Sequence, residues 1–393
     1  MPRQRVIFSL NCGSSSLKFA AHRFGAAEEE RLVSGAAERI GLPEGRLWAR
    51  DGQGTLLLDR KGHFASHGSV LQELLAARQN SGLPAADAVG HRVVHGGPGH
   101  FAPELVTREL LDSLKSCVPL APLHLPSQIA AIEFVHDARP TLPQVACYDT
   151  TFHHRMPEVA KRLPLPRELW RDGVRKYGFH GLSFDFVVSN LGEDAKGAVV
   201  IAHLGNGASL AAVRDGNPID TTMGLTPNGG MMMGTRSGDL DPGVLLYLIK
   251  EKGYDPERLA QLVEDESGLL GVSGTTSDMK LLLDTASSDP HAAQAVDMFC
   301  YQARKQIGAL AAALGGLDIL VFTGGIGEHS AEVRRRICEG LSFLGIEIDA
   351  AQNNAHSDTI SKTGARCTVR MIRTDEDLMV ARYTMQASAR TEK

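Results

Sequence analysis

The sequence lacks several features that would place it in common classes of protein. Its six cysteines lie far apart and form no CxxC pair, which argues against a zinc site and against a disulfide framework. No apolar run reaches the roughly 18 residues of a membrane helix, and the first residues carry no apolar segment of a secretory signal. A net charge of −5 provides none of the basic footprint of a nucleic-acid-binding protein. We therefore expect a cytoplasmic protein with no nucleic-acid or membrane partner.

Glycine, in contrast, is in excess. The chain has 41 glycines among 393 residues, about a tenth, where a share of about 7% is usual. Hydrophobic residues make up 43% of the chain, which is enough for a large core. At roughly 150 residues per domain, this length predicts two to three domains.

Strand-like apolar runs alternate with capped helices along the chain. Asp-Pro pairs at 241, 255 and 289 predict helix starts, because aspartate accepts from free N–H groups and proline at the first helical position loses no hydrogen bond. A further helix is predicted over 70–79, with Ser69 as its cap and Gln72 closing a capping box. The predicted strands are 5–11, 88–95, 144–148, 198–204, 318–323 and 368–373.

An internal repeat sharpens this α/β prediction. Residues 6–20 and 199–213 both read as a buried strand, a turn of small residues and a second strand. Two copies half a chain apart suggest a duplication, and hence two similar lobes with a central cleft. Chance similarity stays the alternative for segments this short.

Three turns of small residues follow predicted strands. The first, 11–18, ends on Lys18, and its N–H groups and hydroxyls can approach phosphate oxygens; an ordinary polar hairpin is the alternative. The second and third are 203–207 and 324–328, and the third precedes a helix capped by Ser330. No GxxxxGK[ST] motif occurs, which excludes a P-loop kinase, and 324–328 lacks the third glycine of a dinucleotide fingerprint.

Charged side chains stand in or beside these glycine-rich stretches. Five glycines between 224 and 238 surround Arg236, which predicts a mobile loop presenting a guanidinium to phosphate or carboxylate; its methionines are assigned to packing. Arg92 lies in a predicted strand, Asp149 follows one, and His180 stands between glycines. An ordinary structural role is the alternative for each. The histidines at 91, 95 and 100 are interpreted as core or hydrogen-bonded side chains rather than metal ligands.

Together these segments resemble the acetokinase family, and the match runs in the family's order over nearly the whole chain. The resemblance implies two duplicated ribonuclease H-like lobes of the actin-like ATPase superfamily. The N-terminal lobe would be 1–149, joined by a C-terminal helix at 377–393, and the nucleotide-binding lobe would be 150–376. The matching segments are NCGSSSLKF, HRVVHGG, LAPLH, YDTTFHHRMP, YGFHG, HLGNGAS, GLTP, MGTRSGDLDPG, ESGLLG, FTGGIGE and TDEDLMVA.

The resemblance also implies an activity. A homodimer would transfer the γ-phosphoryl group of ATP reversibly to acetate, giving acetyl phosphate and ADP, with Mg²⁺ as the cofactor and Mn²⁺ as its substitute. A propionate kinase shares nearly all of these motifs and stays open as an alternative. A non-catalytic actin-like ATP-binding switch is the alternative of another class, although such a switch has no use for two arginines aimed at an acceptor.

Residue roles follow from the resemblance position by position. Asp149, His180 and Arg236 would be catalytic. Asp149 is interpreted chiefly as an orienter of the arginines and of magnesium-bound water, and the proton-acceptor role often described for the family is the alternative. Asn11 and Glu376 would hold Mg²⁺, directly or through water. Arg92 would bind the acetate carboxylate, and Val94, Leu123, Phe179 and Pro227 would surround its methyl group. The nucleotide site would consist of Lys18, His203, Leu204, Gly205, Asn206, Gly207, Asp278, Met279, Lys280, Gly325, Ile326, Gly327, Glu328 and His329.

The chain departs from the family pattern at two positions of that nucleotide site. Lys280 stands where the family usually has arginine, and His329 where it usually has asparagine. Both are expected near the adenosine, and a lysine stacks on a purine less well than a planar guanidinium does. The preference for the nucleotide base is therefore left open.

Overall fold

The computed structural model describes residues 4–25, 28–78 and 82–389, and the chain divides into two compact units. Unit 1 comprises Met1–Thr151 and Asp375–Lys393, and unit 2 comprises Phe152–Thr374. The predicted C-terminal helix is present from Glu376 to Ala389, and its predicted positions 390–393 lie outside the described residues. In the described chain, no helix is both long and apolar enough to cross a membrane.

Unit 1 is built on an eight-stranded sheet with the order β5-β4-β3-β2-β1-β6-β8-β7. Strand β1 is antiparallel to β2 and parallel to β6, which is in turn parallel to β8. The strands are β1 (Arg5–Cys12), β2 (Ser16–Phe24), β3 (Glu29–Glu38), β4 (Gly45–Asp51), β5 (Leu56–Gly62), β6 (Ala88–Val93), β7 (Glu104–Leu105) and β8 (Gln144–Tyr148). The helices are α1 (His67–Ala77), α2 (Arg108–Ser116), α3 (Leu125–Ala138) and, last in the chain, α15 (Glu376–Ala389).

The two faces of this sheet are covered by different helices. Leu10 and Val89 pack with Leu71 of α1 and Val135 of α3 on one face. The opposite face packs against α15, which approaches so closely that a β-carbon on Gly90 would overlap Thr384 and Val380. Strand alternation therefore assigns odd positions of β6 to the α1/α3 face and even positions to the α15 face.

Unit 2 is built on a five-stranded sheet with the order β11-β10-β9-β12-β13. Its strands are β9 (Ala198–Leu204), β10 (Ala208–Arg214), β11 (Asn217–Thr221), β12 (Ile319–Thr323) and β13 (Thr368–Met371). Its helices are α4 (Glu158–Lys161), α5 (Arg167–Arg171), α6 (Gly181–Leu191), α7 (Pro242–Lys252), α8 (Pro256–Asp265), α9 (Gly268–Ser273), α10 (Met279–Thr285), α11 (Pro290–Leu314), α12 (Gly324–His329), α13 (Ala331–Cys338) and α14 (Ala350–Asn354).

The same arrangement occurs once in each unit. The order β3-β2-β1-β6-β8 in unit 1 matches β11-β10-β9-β12-β13 in unit 2, with two antiparallel pairings followed by two parallel ones. The repeated segments 6–20 and 199–213 are the hairpins β1–β2 and β9–β10. The predicted duplication of a ribonuclease H-like α/β unit is therefore confirmed.

Most of the predicted helix starts are confirmed, and two local predictions are wrong. All three Asp-Pro pairs cap a helix, at α7, α8 and α11. The first helix, however, is capped by Ser66 rather than Ser69, because the two serines exchange side-chain and backbone hydrogen bonds at 3.2 Å in a capping box. The predicted end of that helix at Gln79 lies outside the described residues. The segment 324–328, predicted as a turn, lies in the short helix α12 (Gly324–His329).

Candidate functional site

Polar side chains stand at the carboxyl ends of the three parallel strands of unit 1. Asn11 is the next-to-last residue of β1, Arg92 is the next-to-last residue of β6, and Asp149 directly follows β8. The carboxyl ends of parallel strands meet at one edge of a sheet, where α/β proteins commonly bind ligands. Glu376, the first residue of α15, joins them there.

Arg92 is the centre of this cluster. Its Nη2 and Nε donate to the Asp149 carboxylate, with Nη2–Oδ2 at 2.6 Å and Nε–Oδ1 at 3.0 Å. Its Nη1 lies 2.9 Å from Oε2 of Glu376 and 3.3 Å from Oδ1 of Asn11. Lys18 is exposed and pairs with Asn11 across the β1–β2 hairpin, so both side chains project from the same face.

Burial strengthens the electrostatic interactions within this cluster. The side chain of Arg92 is 16% exposed and that of Asp149 only 2%. Burial raises the pKa of the Asp149 carboxyl, while the guanidinium of Arg92 opposes that rise. Burial alone would lower the pKa of Arg92, but Asp149 and Glu376 raise it well above its usual value. The guanidinium therefore stays charged and is held in one orientation.

The start of α15 adds carboxyl groups that the sequence analysis did not single out. Asp375 is ion-paired with Arg31 of β3. Burial, together with the charges of Asp375 and Glu376, raises the pKa of Asp377 to about 6. Three consecutive acidic residues, of which only Glu376 was assigned a role, thus stand at the start of this helix, one before it and two in its first turn.

In unit 2, His180 has a backbone conformation that is unusual for a residue other than glycine. It lies in the left-handed region at φ 56° and ψ 25°, directly before α6. Its Nδ1 is 2.8 Å from Oγ of Ser209, and its ring stacks on His203 with the ring centroids 4.3 Å apart. His203 is itself bonded through Nδ1 to Ser183 at 2.8 Å. The imidazole of His180 is therefore fixed by two neighbours.

Arg236 lies beside the same histidine. A β-carbon added to Gly207 would stand 2.7 Å from Nη2 of Arg236 and 3.2 Å from Nε2 of His180, so both side chains meet at this glycine. Nη1 of Arg236 donates to the carbonyl of Pro227 at 2.7 Å. The four methionines of the loop are buried, at 223, 231, 232 and 233, as the packing interpretation predicted.

The two glycine segments of the predicted nucleotide site also meet within unit 2. The turn 205–207 ends β9 and α12 begins after β12, which is its parallel neighbour. A β-carbon on Gly324 would stand 2.8 Å from the Leu204 carbonyl oxygen. Glu328 uses its carboxylate within the protein, since Oε1 accepts from the N–H groups of Gly324 at 3.0 Å and Thr374 at 3.1 Å.

The third predicted nucleotide segment comprises residues 278–280. Asp278 caps α10, accepting from the N–H of Lys280 at 2.8 Å, while Met279 is buried and Lys280 exposed. Among the described residues, no hydrogen bond or ion pair joins these three to the other predicted nucleotide residues. The exposed His329 is bonded through Nδ1 to the Gly325 carbonyl of its own helix at 3.0 Å.

The four residues predicted to surround the acetate methyl group are divided between the units. Val94 is buried just after β6, and its N–H donates to Oε1 of Gln128 at 3.0 Å. Leu123, also in unit 1, is 40% exposed. In unit 2, Phe179 is buried directly before His180, and Pro227 is the residue whose carbonyl accepts from Arg236.

Two supporting residues were missed. His153 is fully buried, and its Nε2 is bonded to the Phe179 carbonyl at 3.0 Å, which fixes the backbone next to His180. Arg334 of α13 is fully buried and donates to the carbonyls of Gly327 and Glu328 at 2.7 and 3.0 Å, which holds the end of α12. Sequence offered a signal only for His153, through the YDTTFHHRMP segment; a buried arginine has no local signature.

The three histidines interpreted as core or hydrogen-bonded side chains do make hydrogen bonds. His91, His95 and His100 are hydrogen-bonded within unit 1, to Gln144, Gly97 and Glu104. All six cysteines are free and buried. The described part of the chain contains no group of three or more His, Cys, Asp or Glu side chains that could hold a metal ion.

Two duplicated α/β units, with charged side chains at the strand ends of one and glycine segments at the strand ends of the other, define the class of protein to which the chain belongs. The sequence profile of the acetokinase family matches residues 6–382. The chain belongs to the acetokinase family. It is 44% identical over 397 aligned residues to an acetate kinase of Methylocella silvestris, with 97% of each chain covered.

Solved structures agree with this family membership. A crystal structure of Porphyromonas gingivalis acetate kinase is 36% identical, covers 98% of this chain and 100% of its own, and has a TM-score of 0.87. A crystal structure of a propionate kinase from Francisella tularensis is also 36% identical, covers 97% of this chain and 99% of its own, and has a TM-score of 0.90.

Proposed function

We propose that this protein transfers the γ-phosphoryl group of ATP reversibly to acetate, giving acetyl phosphate and ADP. The observation that carries the proposal is the guanidinium of Arg92, held by Asp149 at the strand ends of unit 1. A fixed, charged guanidinium is suited to a planar carboxylate. The acetate kinases and the propionate kinase to which the chain is similar act on such carboxylates, as their names say.

The number of N–H donors on Arg92 supports its assignment to the acceptor. A guanidinium has five N–H groups. In this structure Nε and one Nη2 hydrogen are donated to Asp149 and one Nη1 hydrogen to Asn11, while Oε2 of Glu376 forms an ion pair with Nη1. One Nη2 hydrogen is left for acetate, and a second contact requires Glu376 or Asn11 to release Nη1. Asp149 thus acts as the orienter of Arg92, and since acetate is already an anion, no strong base is required.

His180 and Arg236 would act on the transferring group. Phosphoryl transfer depends on positioning and charge neutralisation, and an arginine on the phosphoryl oxygens supplies about 10³–10⁵ in rate in enzymes of this kind. With Nδ1 bonded to Ser209, Nε2 is the nitrogen that His180 directs toward Gly207, beside Nη2 of Arg236. Two positive or hydrogen-donating groups meeting at one glycine suit a developing oxyanion charge.

Asn11 and Glu376 are the residues that would hold Mg²⁺. Both oxygens contact the same nitrogen, Nη1 of Arg92, so they lie close to each other, and they would turn from that nitrogen to the ion. An amide and a carboxylate oxygen suit this ion, which usually keeps several waters and substrate phosphates among its ligands. When bound there, Mg²⁺ would supply positive charge to the phosphate groups of the nucleotide. Mn²⁺ would substitute for it.

The nucleotide would lie along the glycine segments of unit 2. The β9–β10 turn and the start of α12 are adjacent, and their small residues allow backbone N–H groups to approach phosphates. Lys18 of unit 1 would supply a further charge to the phosphates. Since Lys280 and His329 replace the usual arginine and asparagine, assays should compare ATP with GTP and with pyrimidine triphosphates.

Homodimer formation is part of the proposal, and helix α7 supports it. None of the residues of α7 is buried, although the helix and its approach carry five exposed large apolar side chains: Leu240, Val244, Leu246, Tyr247 and Ile249. An apolar helix face exposed in one chain marks an association surface, and we assign a second copy to it.

The cytoplasmic location proposed for the protein is supported by its six free thiols.

An assay in which hydroxylamine traps the acyl phosphate tests the activity directly. With ATP, Mg²⁺, acetate and hydroxylamine, the protein should form acetyl hydroxamate, and should form none when acetate is omitted. Absence of product with every short acid and every nucleotide would refute the proposal. Hydrolysis of ATP without any acid-dependent product would favour the ATP-binding switch instead.

Propionate is the second candidate acceptor, favoured by the similarity to the Francisella propionate kinase. One methylene is worth only about 1–3 kcal/mol of discrimination, so the same site can serve both acids. Measuring kcat/KM for acetate and propionate under identical conditions decides between them. A ratio above one in favour of propionate would reassign the preferred acceptor.

A further inference from the structure

A cavity lies within unit 1, under helices α1 and α3. Its volume is about 400 Å³, which falls within the range of roughly 300–1,000 Å³ typical of small-molecule sites. Its walls are mainly apolar and come from β1, α1, β6 and α3. They include Phe8, Leu10, Leu71, Leu74, Val89 and Phe134.

This cavity is on the opposite face of the sheet from Arg92. Leu10 and Val89 point to the face that α1 and α3 cover. Ala88 packs against Ala381 of α15 on the other face, and Arg92, four residues later in the same strand, shares that face. Its ion pair with Glu376 at the start of α15 agrees with this direction. A ligand in the cavity therefore does not occupy the place assigned to acetate.

Two arginines line the cavity. Arg78 directly follows α1 and Arg139 directly follows α3. With respect to the described residues, neither side chain makes a hydrogen bond or an ion pair. Asp87 is the acidic lining residue, and its carboxylate accepts from the N–H of Val6 at 2.8 Å. A helix C-terminus favours a nearby cation, which would explain the arginines but not the apolar cavity beside them.

We propose that this cavity binds a straight-chain aliphatic monocarboxylate longer than the acceptor acid. Its chain would lie among the leucine and phenylalanine side chains, and its carboxylate would meet Arg78 and Arg139. Apolar walls favour a hydrocarbon, and guanidinium groups bind carboxylates in a planar geometry. Because the residues differ from those assigned to phosphoryl transfer, this site stands independently of the proposed function.

Isothermal titration of the full chain with sodium butanoate, hexanoate and octanoate tests the proposal. Each methylene that enters the cavity should tighten binding about fourfold. Octan-1-ol, which has the chain without the charge, should bind at least tenfold more weakly than octanoate. Equal binding of the alcohol, or no binding of octanoate at millimolar concentration, would overturn the assignment.

Variants then locate the site. Arg78→Gln/Arg139→Gln should weaken octanoate binding at least tenfold, and Leu75→Phe, which fills the cavity from its wall, should do the same. Arg23→Gln/Arg46→Gln removes the same charge from unit 1 outside the cavity and should leave binding unchanged. Arg92→Ala should also retain it. If Arg92→Ala abolished octanoate binding while the cavity variants kept it, octanoate would occupy the acceptor site and the proposal would be wrong.

Discussion

The equivalent strand ends of the two units carry different chemistry. In unit 1, the ends of β1, β6 and β8 present Asn11, Arg92 and Asp149, which are joined by hydrogen bonds between side chains. In unit 2, β9 and β12 occupy the equivalent places but end in the glycine turn 205–207 and in α12. One copy of the duplicated fold therefore offers charged side chains, and the other offers backbone N–H groups and small residues.

This difference indicates how a duplication can divide the work of one reaction. Side-chain charges can be paired with one another and aimed, as Asp149 aims Arg92. Backbone groups at glycine positions admit close approach of a large, highly charged ligand. Under the proposed function, unit 1 would hold the small acid and unit 2 the phosphates. The predictions below perturb residues of one unit or of both, from the largest expected effect to the smallest.

The largest effect is expected for Arg236 of unit 2. Arg236→Ala should lower kcat by about 10²–10⁴-fold, because the charge beside His180 acts on the transferring phosphoryl group. The KM for acetate should change little. Steady-state kinetics at saturating ATP measure both constants. Turnover close to that of the parent would remove Arg236 from the catalytic assignment.

Arg92 of unit 1 should give the opposite pattern. Arg92→Ala removes a charge-assisted contact and should raise the KM for acetate by about 10²-fold. Nucleotide affinity, measured by equilibrium binding, should stay nearly as in the parent. Arg92→Lys, which keeps the charge but not the fork geometry, should be intermediate. An unchanged acetate KM in both variants would contradict the assignment.

Acid should destabilise both units through buried histidines. Burial lowers the pKa of His91 in unit 1 and of His153 in unit 2 to about 4. Between the unfolded value near 6.5 and the folded value, the unfolded chain binds more protons, so stability falls as the pH is lowered through this window. Each histidine should cost about 2–3 kcal/mol by pH 4.

Urea unfolding between pH 4 and pH 7 measures this dependence. His153→Gln, in which the amide nitrogen replaces Nε2, should flatten the pH dependence for unit 2, and His91→Gln should do so for unit 1. The two variants serve as controls for each other. If the free energy of unfolding depended on pH in both variants as it does in the parent, the buried histidines would not be the source of the acid sensitivity.

Arg334 should affect the stability of unit 2 more than its chemistry. Arg334→Met keeps the length of the side chain but leaves the carbonyls of Gly327 and Glu328 without a donor, at a cost of about 2–3 kcal/mol. Chemical denaturation measures the loss. Arg335→Met, at the exposed neighbouring position, is the matched control and should cost less than 1 kcal/mol.

The smallest effect is expected at the glycine where His180 and Arg236 meet. Gly207→Ala places a β-carbon against flexible Nη2 of Arg236, so kcat should fall about tenfold while the fold is kept. Gly308→Ala in α11 meets no atom within 4 Å and should instead stabilise the helix, by about 1 kcal/mol. Equal kinetics for both variants would argue against close packing at Gly207.

Much of the fold followed from local patterns. The strands β8 and β9 coincide with the predicted ranges, and α11 begins at Pro290, directly after the predicted cap Asp289. The cap of α1 and the helix at 324–329 did not follow. Ser66 and Ser69 both satisfy the rules for a cap, and glycines leave the backbone conformation to the surrounding structure.

The candidate site, like the fold, could be predicted from the sequence only in part. Motif order by itself determined the family and nominated Asn11, Arg92, Asp149 and Glu376, because these positions stand in recognisable local segments. Only the tertiary structure decided that they form one cluster, in which Arg92 is hydrogen-bonded to Asp149 and Asn11 and ion-paired with Glu376. Caps and turns depend on residues within about four positions, whereas Arg92 and Asp149 are 57 positions apart and meet only when β6 and β8 pair.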